Sequence, residues 1–365
     1  MLTSSNMNPD DATSCIFHPK RQKTMRCLAI PLPQENKMKL SLIGSRGHVQ
    51  YVFDSLPVLP QVTLAGVTTG CKGDSRDDLN TLLTTAGLAA TWHDDWQEML
   101  DTEKPDIVSI DGPFEDHAKM CVAALERGIH VFCEKPIALN LADLDAVEAA
   151  WRKSGAKIIS MVGLRYDAAF YHAWSLIRAG AIGDIRIVST RKSYKLGTRP
   201  AFYRERATYG GTIPWVGSHA FDWILWFTQA NFVSVSAMHS AEANGGNGDM
   251  EIAAVCQMKL NNGAFAQASI DLLRPNDAAT HGDDRIRLAG SHGVLEVADG
   301  VVRLTDSTGE HLITPLPCPK AIFRDFVNEI EGKTKCLVTA EETFALTRAV
   351  LLAREAADTG KTIFF

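Results

Sequence analysis

The sequence predicts two different α/β architectures in one chain. The first is a doubly wound parallel sheet (α/β), and the second an α+β domain with a large, mostly antiparallel open sheet. Three observations carry this. Short apolar strands alternate with helical segments from Met38 to Val162. From Ile185 to Thr305 strand-like segments follow one another almost without helices. A glycine turn, Gly44-Ser45-Arg46-Gly47, closes the first strand and opens the first helix.

The elements follow in order. Residues 1–37 are polar and proline-dotted, without strand or helix periodicity, and are expected to be a poorly ordered extension. They lack the basic, apolar and small-residue regions of a secretory signal, and a clean strand begins at Met38, which is expected to lie close to the start of the fold. Residues 38–163 are assigned to the first domain and 164–365 to the second. In the first, strands at 39–43, 62–67, 106–110, 129–134 and 157–162 alternate with helices at 49–56, 78–85, 94–101, 115–127 and 141–153. Gly87 and Gly128 read as helix stops and Asn140 as an N-cap. After a helix at 167–178, the second domain shows strands at 185–194, 233–240, 251–259, 264–272, 285–288, 294–297 and 301–305. Turns such as Asn261-Asn262-Gly263 and Asp299-Gly300 join several of them. One helix at 218–227 interrupts the strands, and helices at 320–331 and 341–359 end the chain.

The bulk properties exclude several classes. The chain has 365 residues, 45% hydrophobic and 22% charged, with net charge −6. That is enough for two cores, with no basic footprint for nucleic acid or a membrane surface. No apolar run approaches the ~20 residues that span a bilayer. The eight cysteines are scattered without a C-x-x-C pair, and Cys121 and Cys133 sit in apolar segments. Buried thiols in a reducing, cytoplasmic compartment are expected. Thr280-His281-Gly282-Asp283-Asp284-Arg285 lacks the ligand spacing of a metal site, and no metal is expected.

The glycine turn sits where a Rossmann fold cradles a pyrophosphate. Gly44 permits a tight turn and Gly47 a close approach of the phosphates. Arg46 and Val49 stand where the pattern's second and third glycines belong. Ser45, Arg46 and His48 complete the expected contact. No acid follows the second strand; Thr68 and Thr69 stand there, with Lys72 and Arg76 near enough to meet a 2′-phosphate. This leans to NADP over NAD, although Asp74 offers an alternative partner for a ribose diol.

The segment Ile129-His-Val-Phe-Cys-Glu-Lys-Pro-Ile137 ends a buried strand in Glu134-Lys135, followed by Pro136. A lysine at the carboxyl end of a parallel strand lies where such sheets bind ligands. Pro136, taken as trans, is expected to hold Lys135 in extended backbone and so aim its ammonium. Downstream, Lys195, Arg199, Tyr203, Arg204 and Arg206 form a basic loop expected to lie over the substrate cleft, able to bind a carboxylate or phosphate or simply solvated.

These residues resemble the glucose–fructose oxidoreductase, inositol dehydrogenase and MocA (Gfo/Idh/MocA) family. The likeness rests on Pro105–Pro113 with His117, Gly128–Pro136, Leu176–Gly183, Gly210-Gly211 followed by His219, and Gly290–Glu296, and runs from about Met38 to Phe365. It implies an oxidoreductase that moves a hydride between NAD or NADP and a secondary hydroxyl of a sugar, cyclitol or derivative. It also implies a homodimer or homotetramer packed through the second sheet. Asp111, Gly112, Pro113, His117, Glu134, Lys135 and Pro136 fall at the implied coenzyme site, and Arg165, Tyr203, Trp215 and His219 at the implied substrate site. The family's Asp-x-x-x-His reads Trp215-x-x-x-His219 here, so the usual acid is missing. Asp222, on the same helix face as His219, is the candidate replacement or else packs. His219 is expected to take the hydroxyl proton and Lys135 to hydrogen-bond the substrate oxygen. Trp215 is either a wall for a sugar ring or an aromatic core residue. Two other functions fit: a lyase or glycosidase with a retained nicotinamide, and a nucleotide-binding regulatory protein without catalysis.

Overall fold

The computed structural model describes residues 37–71 and 74–365. The expectations for the amino-terminal extension and for Lys72 therefore lie outside the described residues. Within them, strands β1 (Met38–Gly44), β2 (Val62–Thr68), β3 (Thr91–Trp92), β4 (Ile107–Asp111), β5 (His130–Cys133) and β6 (Ile158–Ser160) form a six-stranded sheet in the order β3-β2-β1-β4-β5-β6. Every pair is parallel. The strands are apolar along their length because helices cover both faces; all five residues of β4 are buried. The chain leaves β1 in one direction and returns through β4 in the other, so a crevice opens at their carboxyl ends.

The covering helices are α1 (Gln50–Ser55), α2 (Asp77–Ala86), α3 (Trp96–Glu103), α4 (His117–Glu126) and α5 (Leu141–Ser154). Their ends follow local chemistry. Asp95 and Asn140 accept hydrogen bonds from the backbone N–H groups of Glu98 and Asp143. Gly87 ends α2 in the left-handed region, at φ 64°.

The second half begins with α6 (Ala168–Arg178), capped by Asp167. It continues through β7 (Ile185–Lys195), the short helices α7 (Arg206–Tyr209) and α8 (Thr212–Trp215), and the buried α9 (Gly217–Thr228). Then come β8 (Phe232–Ser240), β9 (Ala253–Leu260), β10 (Phe265–Arg274), β11 (Gly282–Gly290), β12 (Gly293–Ala298), β13 (Val301–Asp306) and β14 (Gly309–Ile313). Helices α10 (Ile322–Ile330) and α11 (Ala340–Thr359) and strand β15 (Ile363–Phe364) finish the chain. The described strands form a nine-stranded sheet, β14-β13-β12-β11-β7-β10-β9-β8-β15, antiparallel except for β7 beside β10. One face packs on α9 and the other is open. Helix α11 returns to the first sheet, where Thr343 Oγ1 accepts a hydrogen bond from the Ser160 N–H at 3.0 Å.

Three strands escaped the sequence reading. β3 and β15 have two residues each, too short for a period-2 pattern. β14 is an edge strand exposed on both faces, so its sequence carries no alternation. β11 starts at Gly282, three residues earlier than expected, because it pairs with β7 as far as Tyr194. The Asp283-Asp284 string is therefore strand, and among the described residues no His, Cys, Asp and Glu group is arranged to hold a metal.

Candidate active site

β5 delivers Glu134 and Lys135 to the carboxyl edge of the first sheet, both buried. The Lys135–Pro136 peptide is cis, which corrects the trans assignment; an X–Pro bond has so small a trans preference that sequence does not decide it. His117 ties this turn to its neighbour. Its Nδ1 lies 3.0 Å from the Pro136 carbonyl and its Nε2 3.1 Å from that of Gly112. His117 is fully buried between these two carbonyls and so ties the two turns together.

Lys135 Nζ donates to the Trp215 carbonyl at 2.9 Å and lies 3.4 Å from Glu134 Oε1. An ammonium has three protons, and these contacts engage two of them. Glu134 Oε2 accepts from His48 Nδ1 at 2.7 Å and from the His48 backbone N–H at 3.3 Å. Burial alone would raise the Glu134 carboxyl, but His48 and Lys135 prevail and hold it down at about 2. Burial pulls Lys135 below the usual lysine range, and Lys192 adds to the pull against the opposing Glu134.

His219 sits on the first turn of α9, 2% exposed. Neither ring nitrogen has a hydrogen-bond partner among the described residues. Burial drives its pKa well below the usual imidazole value, and Lys192, Lys135 and His48 push the same way, so the ring is neutral. Its ring meets His48 edge-on at 6.0 Å, and His48 in turn stacks on Tyr51 at 5.2 Å. Buried polar atoms are nearly always paired; among the described residues several side chains have one such atom unpaired, and His219 has two, which makes it a candidate ligand contact.

Lys192, which the sequence reading passed over, belongs to this cluster. It is buried on β7, and its ammonium contacts both Asp284 oxygens at 2.7 and 2.8 Å. The signal was available: Val188, Thr190, Lys192 and Tyr194 share the face of β7 opposite Ile187 and Arg191, and a lysine on an apolar face asks for a reason.

Two expected site residues belong elsewhere. Asp222 does not orient His219. Its carboxylate takes Arg165 Nε at 3.0 Å and Nη2 at 2.7 Å, while Arg165 Nη1 reaches Glu342 at 2.8 Å and the Leu337 carbonyl. Arg165 is correspondingly buried, with each of its three side-chain nitrogens engaged. The reason is geometric: three residues along α9 rotate Asp222 toward the 163–166 turn and α11 instead of the crevice. Burial raises the Asp222 carboxyl to about 6 against the pull of Arg165. Trp215 contributes its carbonyl, while its ring packs under Tyr203 at 4.2 Å and the Arg199 guanidinium at 5.1 Å. Of its two readings, the aromatic core residue is the one that describes the ring. Tyr203 is likewise buried, although it rims the same cluster.

The glycine turn has the expected backbone but a different reason for Gly47. Gly44 has φ 81°, and a Cβ there would lie 2.4 Å from the Asp111 carbonyl oxygen. A Cβ on Gly47 would lie 2.4 Å from Glu134 Cγ, so this glycine makes room for the Glu134 side chain. Ser45 stands partly exposed on the turn. Arg46 pairs with Asp74 at 2.6 Å and stacks over Phe202 at 4.8 Å. Asp111, Gly112 and Pro113 are buried across the crevice, and Asp111 Oδ1 has no partner among the described residues. Burial and the nearby Glu134 raise the Asp111 carboxyl well above its usual range. At the end of β2, Thr69 Oγ1 donates to the Cys71 carbonyl. Arg76 pairs with Asp94 and lies 4.6 Å from the Trp92 ring. The tight turn, the crevice at the strand reversal and the unpartnered Asp111 and His219 atoms fit a dinucleotide.

Residues 76–162 match the family profile described as an oxidoreductase family with an NAD-binding Rossmann fold. Residues 170–296 match the GFO/IDH/MocA C-terminal domain. A solved Thermotoga maritima structure, described only provisionally as an oxidoreductase, is 42% identical over 90% of this chain and all of its own, with a TM-score of 0.88. The chain belongs to the Gfo/Idh/MocA oxidoreductase family. Inositol 2-dehydrogenase of Salmonella typhimurium is 29% identical over 54% of this chain and 54% of its own, so the chain spans about half the length of that relative. D-glucoside 3-dehydrogenase of Escherichia coli is 25% identical over 76% of this chain and 84% of its own. Among the described residues no helix is long and apolar enough to cross a membrane.

Proposed function

We propose that this member of the Gfo/Idh/MocA family oxidises, or in reverse forms, a secondary hydroxyl on a sugar, cyclitol or derivative. The supporting observation is the buried, unpartnered imidazole of His219 beside Lys135 at the dinucleotide crevice. The names of the inositol and glucoside dehydrogenases support the substrate class. Ser45, Arg46 and Gly47 would face the pyrophosphate, and Asp111–Pro113 with Glu134 the nicotinamide end. NADP is favoured over NAD because Thr68 and Thr69, not an acid, close β2. The nicotinamide, when bound, supplies the hydride acceptor or donor.

The remaining chemistry belongs to the side chains. Lys135 has one uncommitted ammonium proton, which would donate to the substrate oxygen and stabilise the charge developing there. His219, neutral and unpartnered, would hydrogen-bond the same oxygen and hold it against Lys135. The cations around it oppose an imidazolium, whereas burial eases the loss of a proton from Lys135. We therefore assign proton exchange chiefly to Lys135, whose ammonium would give a proton to the carbonyl oxygen in reduction and whose neutral amine would take the hydroxyl proton in oxidation, and orientation to His219, reversing the emphasis drawn from sequence. The open face of the second sheet carries exposed apolar residues, including Ile187, Phe265 and Leu312, which supports a homodimer or homotetramer through that face.

The test is calorimetric titration of wild type and Lys135→Ala with NAD+, NADH, NADP+ and NADPH, followed by a sugar and cyclitol panel read at the reduced-nicotinamide absorbance. Tight binding of one coenzyme and turnover by wild type only is the expected result. Binding without net production of free reduced coenzyme, but with substrate cleavage, would favour the retained-cofactor lyase. Binding with no chemistry at all would favour the regulatory reading.

A further inference from the structure

The end of β7 and the loop that follows carry Lys195 and Arg199, neither with a carboxylate to balance it. Arg199 and Lys195 have no acidic partner among the described residues; Arg206, from the same loop, pairs with Glu251 and Asp358. Arg199 Nη2 donates to the Lys195 carbonyl at 2.7 Å. Its Nε is a buried donor without a partner. Its guanidinium lies 5.1 Å from the Trp215 ring and 6.0 Å from the Tyr203 ring, half-buried against aromatic faces. Burial lowers the Arg199 pKa, so the charge is held there at a cost.

The place of that charge matters. Trp215 touches Arg199 with its ring and Lys135 Nζ with its carbonyl, so the two cations stand one tryptophan residue apart. His281, stacked on Tyr194 at 4.9 Å, faces Arg199, Lys195 and Lys192 together. Glu134 and Asp284 neutralise Lys135 and Lys192 respectively. Arg199 and Lys195 then leave a positive surplus at the rim of the crevice. His219, whose two ring nitrogens are unpartnered among the described residues, faces Lys192 and Lys135 on the same crevice.

We propose that the substrate is a sugar acid or polyhydroxy acid whose carboxylate is received by Arg199, with Lys195 adding to the positive field, a few carbons from the hydroxyl held by Lys135 and His219. A planar guanidinium with an unpartnered Nε matches a planar carboxylate. A phosphate dianion calls for more donors than this rim offers. The proposal rests on the dehydrogenase reading above and narrows its substrate class.

The test compares matched substrates with the preferred coenzyme: glucose, gluconate, glucuronate and glucose 6-phosphate, and inositol as a neutral cyclitol, on wild type, Arg199→Gln and Arg199→Lys. One charge-assisted hydrogen bond corresponds to about 10- to 100-fold in kcat/KM. Wild type should prefer the acids over the neutral sugars by that factor. Arg199→Gln should collapse the preference through KM for the acid, and Arg199→Lys should restore part of it. Equal or better turnover of neutral or phosphorylated sugars, or an Arg199→Gln effect equal across all classes, overturns the carboxylate proposal and leaves the dehydrogenase reading standing. Coenzyme binding without oxidation of any class, acid or neutral, overturns both.

Discussion

His219 and Asp222 stand three residues apart on α9, and each ends in a buried polar cluster of opposite character. Around Asp222 every side-chain nitrogen of Arg165 and both carboxylate oxygens of Asp222 have a partner. All three Arg165 nitrogens find oxygens on Asp222, Glu342 or Leu337, and Glu342 also accepts from the Thr339 N–H to start α11. Around His219 the ring nitrogens are unpartnered, one Lys135 proton is uncommitted, and the nearby charges disfavour a charged ring. A buried ion network in which each charged atom has a partner joins three segments. An unsaturated one costs stability and is retained where a ligand completes it. Both clusters contain an acid, a base and nearly complete burial, so composition does not separate them; hydrogen-bond saturation does.

This contrast can be broken from either side. The largest effect is expected at Lys135→Ala, where turnover should fall about 10²- to 10⁴-fold with folding unchanged by circular dichroism; near-wild-type turnover would remove Lys135 from the chemistry. Arg165→Met should do the reverse. It leaves Asp222 buried without its cation, at a cost of about 3–5 kcal/mol in urea unfolding, while molecules that remain folded keep their activity. If Arg165→Met instead raised KM selectively at full stability, Arg165 would return to the substrate site.

The next effect belongs to Glu134. Its folded carboxyl holds out to about 2, against an ordinary value of 4.5. As pH falls between these values the unfolded state takes up the proton first. Stability from this group is therefore present above about 4.5 and lost toward 2, up to about 3 kcal/mol. Glu134→Gln should flatten that part of the stability–pH curve; an unchanged curve would contradict the assignment. The smallest effect is expected at Gly47→Ala. The added methyl meets Glu134 Cγ, and the displacement should cost about 1–3 kcal/mol and weaken the His48–Glu134 contact, visible as a shifted His48 imidazole resonance.

Most of the fold was legible because its signals are local. Alternating strand and helix periods gave the parallel sheet, and Asn140 and Gly87 marked their helix ends as capping chemistry requires. The strand run after Ile185 gave the second sheet. What stayed hidden depends on partners distant in sequence. Asp222 looked like a companion of His219 because helical spacing puts both on one side, but Arg165, 57 positions away, claims it. Gly47 read as a phosphate contact, and no local signal showed that Glu134, distant in the chain, also occupies the space beside it. Lys192 was readable in principle as a lysine on the apolar face of a strand, yet its meaning depends on Asp284 and His219. The isomer of Pro136 has no sequence signal that fixes it.

The most direct test of the saturation argument is the stability of His219→Phe, measured by urea unfolding together with turnover. Phe removes two buried, unpartnered nitrogens and keeps an aromatic ring of similar size. If His219 is held in place for a ligand, the variant should unfold at the same or higher urea concentration while kcat/KM falls about 100-fold. A variant that loses several kcal/mol of stability and keeps its turnover would show that His219 is a structural residue, and the candidate site would have to be sought elsewhere on the crevice.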